Sequence, residues 1–506
     1  MTAAQFRKMQ PFDLFDIQMA DEFQQSLWLV DRHSLKNHRV DLPGQALMCR
    51  WLPDGALLVL VVVADGVGVQ DSYAQVFAMD LDNGVLEQLT FGMTPSGYYS
   101  KGLGWTPDGK ILFVSSLRPD WHKDPFNTEI YVLDTVTRQV TCLTNRHGVD
   151  LDPKLSPNGD WIAYRGFDDN GEFHGNPALY LMRPDGSGAT GLADVGQGIG
   201  NHVWADDGQG LYVTYVRDAA HRLAYVDLKG TVTEIASGLA RAGAFEVEPY
   251  IVASAALAAV PGGVVAIMAT ERDPCQLVEI TLGGAQRALT RMNPHLGSIA
   301  LRRSENIAFT SSDGTALQTW VTYPPAHELT KPTPVFQQIH GGPSATYGGH
   351  FSYRFQRHAA DGYIVVAPNY RGCPSTDMAF DKRAEHWVFP DLEYDDVMAA
   401  LDAVGAQTRI DANRLYVSGQ SAGGLLSAWI IGKSDRFAGA VVTAPVINYI
   451  SHFLTHDLHS SYVGRYFAKL PWEDFAGHWA RSPLSLVGNV TTPTLIIQGD
   501  RDVARR

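Results

Sequence analysis

Cysteine is scarce in this chain: Cys49, Cys142, Cys275 and Cys373 are the only four in 506 residues. They are widely spaced and form no Cys-x-x-Cys pair. That excludes a disulfide framework or a cysteine-built zinc site as the organising element and fits free, buried thiols in a reducing compartment. Excess positive charge is also lacking. Forty Lys and Arg stand against 54 Asp and Glu, a net charge of −14, which argues against nucleic acid or an anionic membrane as the main partner. No run of about 18 apolar residues occurs. The N-terminus, MTAAQFRKMQPFDLFDIQMADEF, carries acids throughout and no apolar core of signal-peptide length. A cytoplasmic protein with no membrane partner is expected. What remains is ordinary globular composition, 45% apolar and 19% charged, at a length suited to two or three domains.

The first 305 residues repeat one theme. A turn containing Gly, of the Pro-Asp-Gly kind, precedes a short apolar run: WLPDGALLVLVV from Trp51, WTPDGKILFVSS from Trp105, LSPNGDWIAYRG from Leu155, WADDGQGLYVTY from Trp204, and a weaker AVPGGVVAIMAT from Ala259. The turn glycines are assigned to Gly55, Gly109, Gly159, Gly208 and Gly263, at intervals of 54, 50, 49 and 55. Such turns supply the positive φ of a tight hairpin, and the runs that follow favour strands. A second strand follows in most units (VFAMD, IYVLD, LYLMR, LAYVD), and Leu-Thr closes three of them, at Leu89-Thr90, Leu143-Thr144 and Leu289-Thr290. A period near 50 residues with about four strands per unit is the pattern of propeller blades, which must stack to bury both faces. Six or seven blades are expected. LWLVD (27–31) belongs to an incomplete first one. An array of β-sandwiches is the alternative.

From about Ile307 the pattern changes. Continuous apolar strands (VFQQIH, YIVVA, RLYVSG, GAVVTA, TLIIQG) alternate with helical stretches, as in a doubly wound, mostly parallel sheet covered on both faces. The spacing predicts a helix over 390–404, started by Pro390 and Asp391 and striped by Val397, Leu401 and Val404, and a second over 425–432.

Gly419-Gln420-Ser421-Ala422-Gly423 matches Gly-x-Ser-x-Gly directly after a strand and directly before a helix. Alone the motif is weak; in that strand–turn–helix setting it reads as a nucleophile elbow, with Ser421 as catalytic nucleophile. His340-Gly341-Gly342-Pro343 follows the strand VFQQIH. Acyl transfer creates an oxyanion, and preorganised N–H donors stabilise it. The donors are assigned to Ala422 and to a glycine of this loop, Gly342 in preference to Gly341. His340 precedes the serine, the wrong chain order for the base, and is read as shaping the loop. His452, His456, His459 and His478 lie between serine and acid; HFLTHDLH has metal-like spacing without a further ligand set, so no metal is assigned.

Taken in order, HGGP, NYRG (369–372), GQSAGG (419–424) and SPLSLVGNVTTPTLIIQGDRD (482–502) resemble the prolyl oligopeptidase family of serine peptidases, nearest its acylaminoacyl-peptidase-like branch. The resemblance implies an all-β propeller of about seven blades over 1–305, followed by an α/β-hydrolase peptidase domain over 306–506. It implies hydrolysis of short peptides at an active site the propeller encloses, no cofactor, and an acid in a Gly-x-x-Asp pattern. Here that is Asp502, with Asp500 as the alternative; its task is to orient and charge-stabilise a histidine. Homo-oligomers are compatible with this reading. Three departures stand out. Tyr370 replaces a proline in the Asn-Pro-Arg-Gly loop of the family, read as a tolerated structural change. The first blade is short. The family's histidine lies tens of residues after the acid, whereas Arg506 follows Asp502 by four positions, so the hydrolase domain reads as truncated before its base. The expectation is therefore a serine peptidase by architecture, with a carboxylesterase, or a catalytically inactive propeller–hydrolase fragment, as alternatives.

Overall fold

The structure, a computed structural model, describes residues 27–30, 37–43, 45–51, 57–64, 72–79, 85–90, 102–118, 127–169, 176–196, 198–240, 250–251, 255–342, 345–373, 390–456, 467, 469–499 and 502. The first half forms antiparallel four-stranded meanders, each paired in chain order. The first comprises Gln45–Trp51, Leu57–Ala64, Ser72–Met79 and Leu86–Gln88; the second Leu103–Trp105, Ile111–Ser115, Glu129–Leu133 and Val140–Cys142. The third comprises Gly148–Leu155, Ile162–Asp168, Ala178–Met182 and Thr190–Ala193; the fourth Ile199–Trp204, Gly210–Arg217, Ala220–Asp227 and Val232–Leu239. The fifth, Leu257–Val260, Gly263–Met268, Gln276–Thr281 and Gln286–Ala288, is joined to the fourth by the single pair Leu239–Met268. Against the expected six or seven units, the described residues hold five such sheets and a two-stranded hairpin, Leu27–Val30 with Asn37–Val40.

The repeated turns lie between the first and second strands. Gly109, Gly159 and Gly208 have φ of 80°, 79° and 67°, the left-handed region where glycine carries no Cβ penalty. Gly55 lies outside the described residues. In the fifth unit the turn glycine is Gly262, with φ 74°, and not Gly263, which is already the first residue of the strand; of two adjacent glycines the sequence reading took the wrong one. Strand alternation explains the stacking. Ile111 and Phe113 of the second sheet pack with Val76 and Leu89 of the first, while Leu112 and Val114 pack with Ile162 and Tyr164 of the third. The third and fourth sheets share a core around Leu181, Leu211 and Val213, and the fourth and fifth one around Leu223, Val264 and Ile280.

The recurring threonine has a specific task. Thr90, Thr144 and Thr290 accept through Oγ1 from the backbone N–H of Val76, Ile130 and Leu277, each at 2.9 Å. Each hydroxyl donates to the side chain one residue earlier on that strand: Gln75 (3.0 Å), Glu129 (2.6 Å) and Gln276 (2.8 Å). The outer strand is thereby pinned past its last ladder bond.

The second half is built on one seven-stranded sheet: β1 (Ser304–Thr310), β2 (Ala316–Thr322), β3 (Thr333–Ile339), β4 (Ile364–Asn369), β5 (Ile410–Gln420), β6 (Gly439–Thr443) and β7 (Thr494–Ile497), in the order β1-β2-β4-β3-β5-β6-β7. β1, β2 and β4 pair antiparallel; β4, β3, β5, β6 and β7 pair parallel. The helices are α1 (Tyr353–Ala360), α2 (Pro390–Gln407), α3 (Ala422–Lys433), α4 (Tyr449–Thr455) and α5 (Phe475–Ala480). The expected stripe Val397, Leu401 and Val404 of α2 is fully buried. β7 lies at one edge of the described sheet and β1 at the other, and Leu495, Ile496 and Ile497 of β7 are exposed. A short backbone pairing, Tyr250 with Tyr347 and Ile251 with Thr346, together with Phe351 N–H donating to Thr270 O at 2.7 Å, ties the two halves together.

No helix among the described residues is long and apolar enough to cross a membrane. None of the four cysteines forms a disulfide, but only Cys373 is buried; Cys49 and Cys142 are exposed, which corrects the expectation of buried thiols. Cys49 is on the first strand of its sheet and Cys142 on the fourth, each an edge strand.

Candidate active site

Five parallel strands, β4, β3, β5, β6 and β7, send their carboxyl ends to one edge of the sheet, the edge at which open α/β sheets bind ligands. β5 ends at Gln420 and α3 begins at Ala422. Ser421 stands alone between them with φ 59° and ψ −120°, a conformation that costs a non-glycine residue about 1–3 kcal/mol. It is held there by its N–H, which donates to Thr443 O at 3.0 Å, and by its carbonyl, which accepts from Leu425 N–H at 2.9 Å. The flanking glycines are required by close backbone approach. A Cβ on Gly419 would overlap the backbone of Gly423, one on Gly423 the carbonyls of Ile339 and His340, and one on Gly424 the carbonyl of Thr443. Ser421 is partly exposed. Ala422 opens the helix, so its N–H belongs to the first turn, whose donors lack intrahelical partners.

The His-Gly-Gly loop follows β3 and lies against this elbow. A Cβ built on Gly341 would be 2.9 Å from Gln420 O and 3.4 Å from Ser421 Cβ. Gly342 is partly exposed and Pro343 lies outside the described residues. His340 is only 1% exposed. Its Nδ1 is 2.7 Å from Gly341 O, its Nε2 3.0 Å from Cys373 Sγ, and its ring stacks on Tyr370 at 4.3 Å. Burial pushes its pKa down to about 4, so the ring is neutral.

Asn369, Tyr370, Arg371 and Cys373 brace that loop or the turn behind it. The Asn369 amide brackets the backbone of Tyr347, accepting its N–H (2.7 Å) and donating to its carbonyl (2.9 Å). Tyr370 donates its hydroxyl to His340 O at 2.9 Å, which gives the tyrosine at this position a task of its own. Arg371 pairs with the fully buried Asp396 and, through Nη1, with Asp313 at 3.0 Å. Gly372 takes φ 86°. Hydrogen bonds from Thr315 and the adjacent Arg371 hold the Asp313 carboxyl well below the usual carboxylate range. Glu393, one turn before Asp396 on α2, is buried; desolvation, reinforced by the Asp396 charge, raises its pKa well above the ordinary value.

Asp502 follows β7, its N–H reaching Gly499 O at 3.3 Å. Asp500 and His459 lie outside the described residues. The structure thus brings Ser421 beside the Gly341–Gly342 segment and sets Asp502 after β7, which pairs with the same β6 whose Thr443 accepts from Ser421. His478 is stacked on Phe467 at 3.8 Å and its Nε2 is 2.9 Å from Lys469 O; His452 is buried against Tyr449 and His456. Sequence reasoning missed Cys373 and Asp396. An aspartate six residues into a helix and a lone cysteine carry no motif signal.

Residues 349–504 match the model of the prolyl oligopeptidase family, a peptidase family. Over these residues the chain is similar to the prolyl oligopeptidase family domain. An uncharacterized peptidase of Bacillus subtilis, YuxL, is 31% identical over 306 residues, 59% of this chain and 44% of that protein. Dipeptidyl-peptidase 5 of Porphyromonas gingivalis is 25% identical over 442 residues, 79% of this chain and 58% of that one. The chain therefore spans about half the length of the curated relatives it matches. Among solved structures, acylaminoacyl peptidase of Pyrococcus horikoshii superposes with a TM-score of 0.78 at 19% identity, over 95% of this chain and 76% of that one. The prolyl oligopeptidase fold, a propeller followed by an α/β-hydrolase domain, accounts for the stacked four-stranded sheets and for the mixed sheet behind them.

Proposed function

We propose that this protein is a serine peptidase that cleaves short peptides through an acyl-enzyme. Ser421 Oγ attacks the scissile carbonyl, the N–H groups of Ala422 and Gly342 take the oxyanion, and Asp502 orients and charge-stabilises the imidazole that accepts the Ser421 proton. In the Ser–Asp–His order of this fold the base follows the acid, so none of the histidines before Asp502 is given that role. The observation that carries the reading is the backbone of Ser421, φ 59° and ψ −120° between a parallel strand and a helix, with Gly341 beside it. A strained serine persists where surrounding structure over-determines it, and such strain clusters at active sites.

Short peptides as the substrate class, and an acylaminoacyl-peptidase or aminopeptidase mode, follow from what the relatives are named. The test is turnover of chromogenic aminoacyl and acylaminoacyl amides by the natural full-length protein and its Ser421→Ala variant, with a p-nitrophenyl ester alongside. Loss of several orders of magnitude in kcat on the amides, with the fold intact, is expected. Unchanged amide turnover in the variant, or cleavage of the ester alone, overturns the reading.

A further inference from the structure

We propose that Cys373 is a positioning residue for the oxyanion hole, acting through the tautomer of His340; this rests on the assignment of Gly342 N–H as an oxyanion donor. Nδ1 of His340 is 2.7 Å from a backbone carbonyl, Gly341 O. A carbonyl can only accept, so Nδ1 carries the ring proton and donates it. In a neutral imidazole Nε2 is then left with its lone pair. The group 3.0 Å from that lone pair is Cys373 Sγ, which must therefore be a protonated thiol donating to the ring. The relay runs Cys373 S–H to His340 Nε2, then His340 Nδ1–H to Gly341 O.

The last acceptor gives the relay its function. The carbonyl of Gly341 and the N–H of Gly342 belong to one peptide unit, which is planar and trans, so the two groups point in opposite directions. Gripping the carbonyl on the His340 side fixes the direction of the Gly342 N–H on the other side. Glycine has no Cβ to restrict its backbone angles, so a hydrogen bond to this carbonyl adds to what fixes the peptide plane. The rest of the surroundings favour the same state. His340 is clamped between Tyr370, stacked at 4.3 Å, and the edge of Tyr347 at 5.1 Å, so the ring cannot turn to exchange its nitrogens. Cys373 and His340 are both buried, where an unpaired nitrogen is costly. If the thiol is removed, the buried Nε2 loses its donor, and the tautomer protonated at Nε2, which cannot donate to Gly341 O, gains weight.

The experiment compares Cys373→Ala, Cys373→Val and Cys373→Ser with the natural full-length protein, and uses Ser421→Ala as the control for the reading itself. Serine keeps the donor; valine keeps most of the volume and no donor. Full loss of an oxyanion donor costs about 100- to 1,000-fold in kcat, and a donor that is present but misdirected costs less. Cys373→Ala and Cys373→Val should therefore each lower kcat about tenfold with KM within about twofold, whereas Cys373→Ser keeps kcat within about twofold. Thermal midpoints report the packing contribution separately. Wild-type kcat in Cys373→Ala, recovery by valine, or no recovery by serine overturns the proposal, since valine recovery means the thiol only fills space. If Ser421→Ala retains turnover, the peptidase reading fails instead.

Discussion

Arg371 and Asp396 meet in a two-point ion pair, Nε to Oδ2 and Nη2 to Oδ1, both 2.7 Å, with Asp396 fully excluded from solvent. The same carboxylate accepts from Arg371 N–H (2.9 Å) and from the Ser311 hydroxyl (2.5 Å). One side chain of α2 thus fixes the loop after β4 and the turn after β1. Breaking a buried pair by removing one partner costs about 3–5 kcal/mol. Asp396→Asn should fall near the low end, about 3 kcal/mol, because Arg371 keeps Asp313. Arg371→Ala should cost more, because Asp396 is left buried with hydroxyl and backbone donors alone. Urea unfolding followed by fluorescence orders the two; equal losses would show that the Arg371–Asp313 contact contributes nothing.

The backbone of Ser421 predicts a separation of stability from activity. Ser421→Ala retains the strained φ of 59°, while Ser421→Gly relieves about 1–3 kcal/mol of it and gives back about 0.5–1 kcal/mol through the flexibility of the unfolded chain. The glycine variant should be the more stable of the two by about 1 kcal/mol, with both inactive. Matched chemical denaturation curves check this.

Glu129 predicts a pH dependence. Desolvation raises its pKa from an ordinary 4.5 to about 7. The folded state therefore keeps a proton that the unfolded state releases near 4.5, so stability is lost as the pH rises from about 4.5 to about 7 and is level above that, by at most about 3 kcal/mol. Asp150, raised to about 6 by burial, adds in the same direction. The positions equivalent to Glu129 in the first and fifth sheets are Gln75 and Gln276, which accept from their threonines without a charge. Glu129→Gln should keep the Thr144 bond, flatten the slope between pH 5 and 8, and make the protein more stable at pH 8. Urea midpoints at the two pH values measure it; an unchanged slope would assign the dependence to Asp150.

Much of this is legible in the sequence itself, for identifiable reasons. The Asp-Gly and Asn-Gly turns announce hairpins because few residues tolerate positive φ, and the elbow around Ser421 announces itself because Gly419, Gly423 and Gly424 can be nothing larger. The same turn grammar conceals the β1–β2 hairpin: its turn, Asp313-Gly314 with φ 89°, looks like another propeller turn yet opens the seven-stranded sheet. Periodicity could not separate Gly262 from Gly263, since both satisfy the spacing. The bracing of His340 carries no sequence signal because Cys373, Tyr347 and Tyr370 are brought to it by tertiary contacts, and a residue's partner across a fold leaves no mark on its own neighbours in sequence.

The short pairing of Tyr250 and Ile251 with Tyr347 and Thr346 has a mechanical consequence. The strand-like segment that touches the propeller half begins four residues after Gly342, and Phe351 is tied to Thr270 a little further on. A movement that parts the two halves of the molecule would strain this pairing, which lies close in sequence to Gly342. If Gly342 N–H serves the oxyanion as proposed, separating the two halves and disturbing that donor would be coupled, and turnover would fall as the halves part.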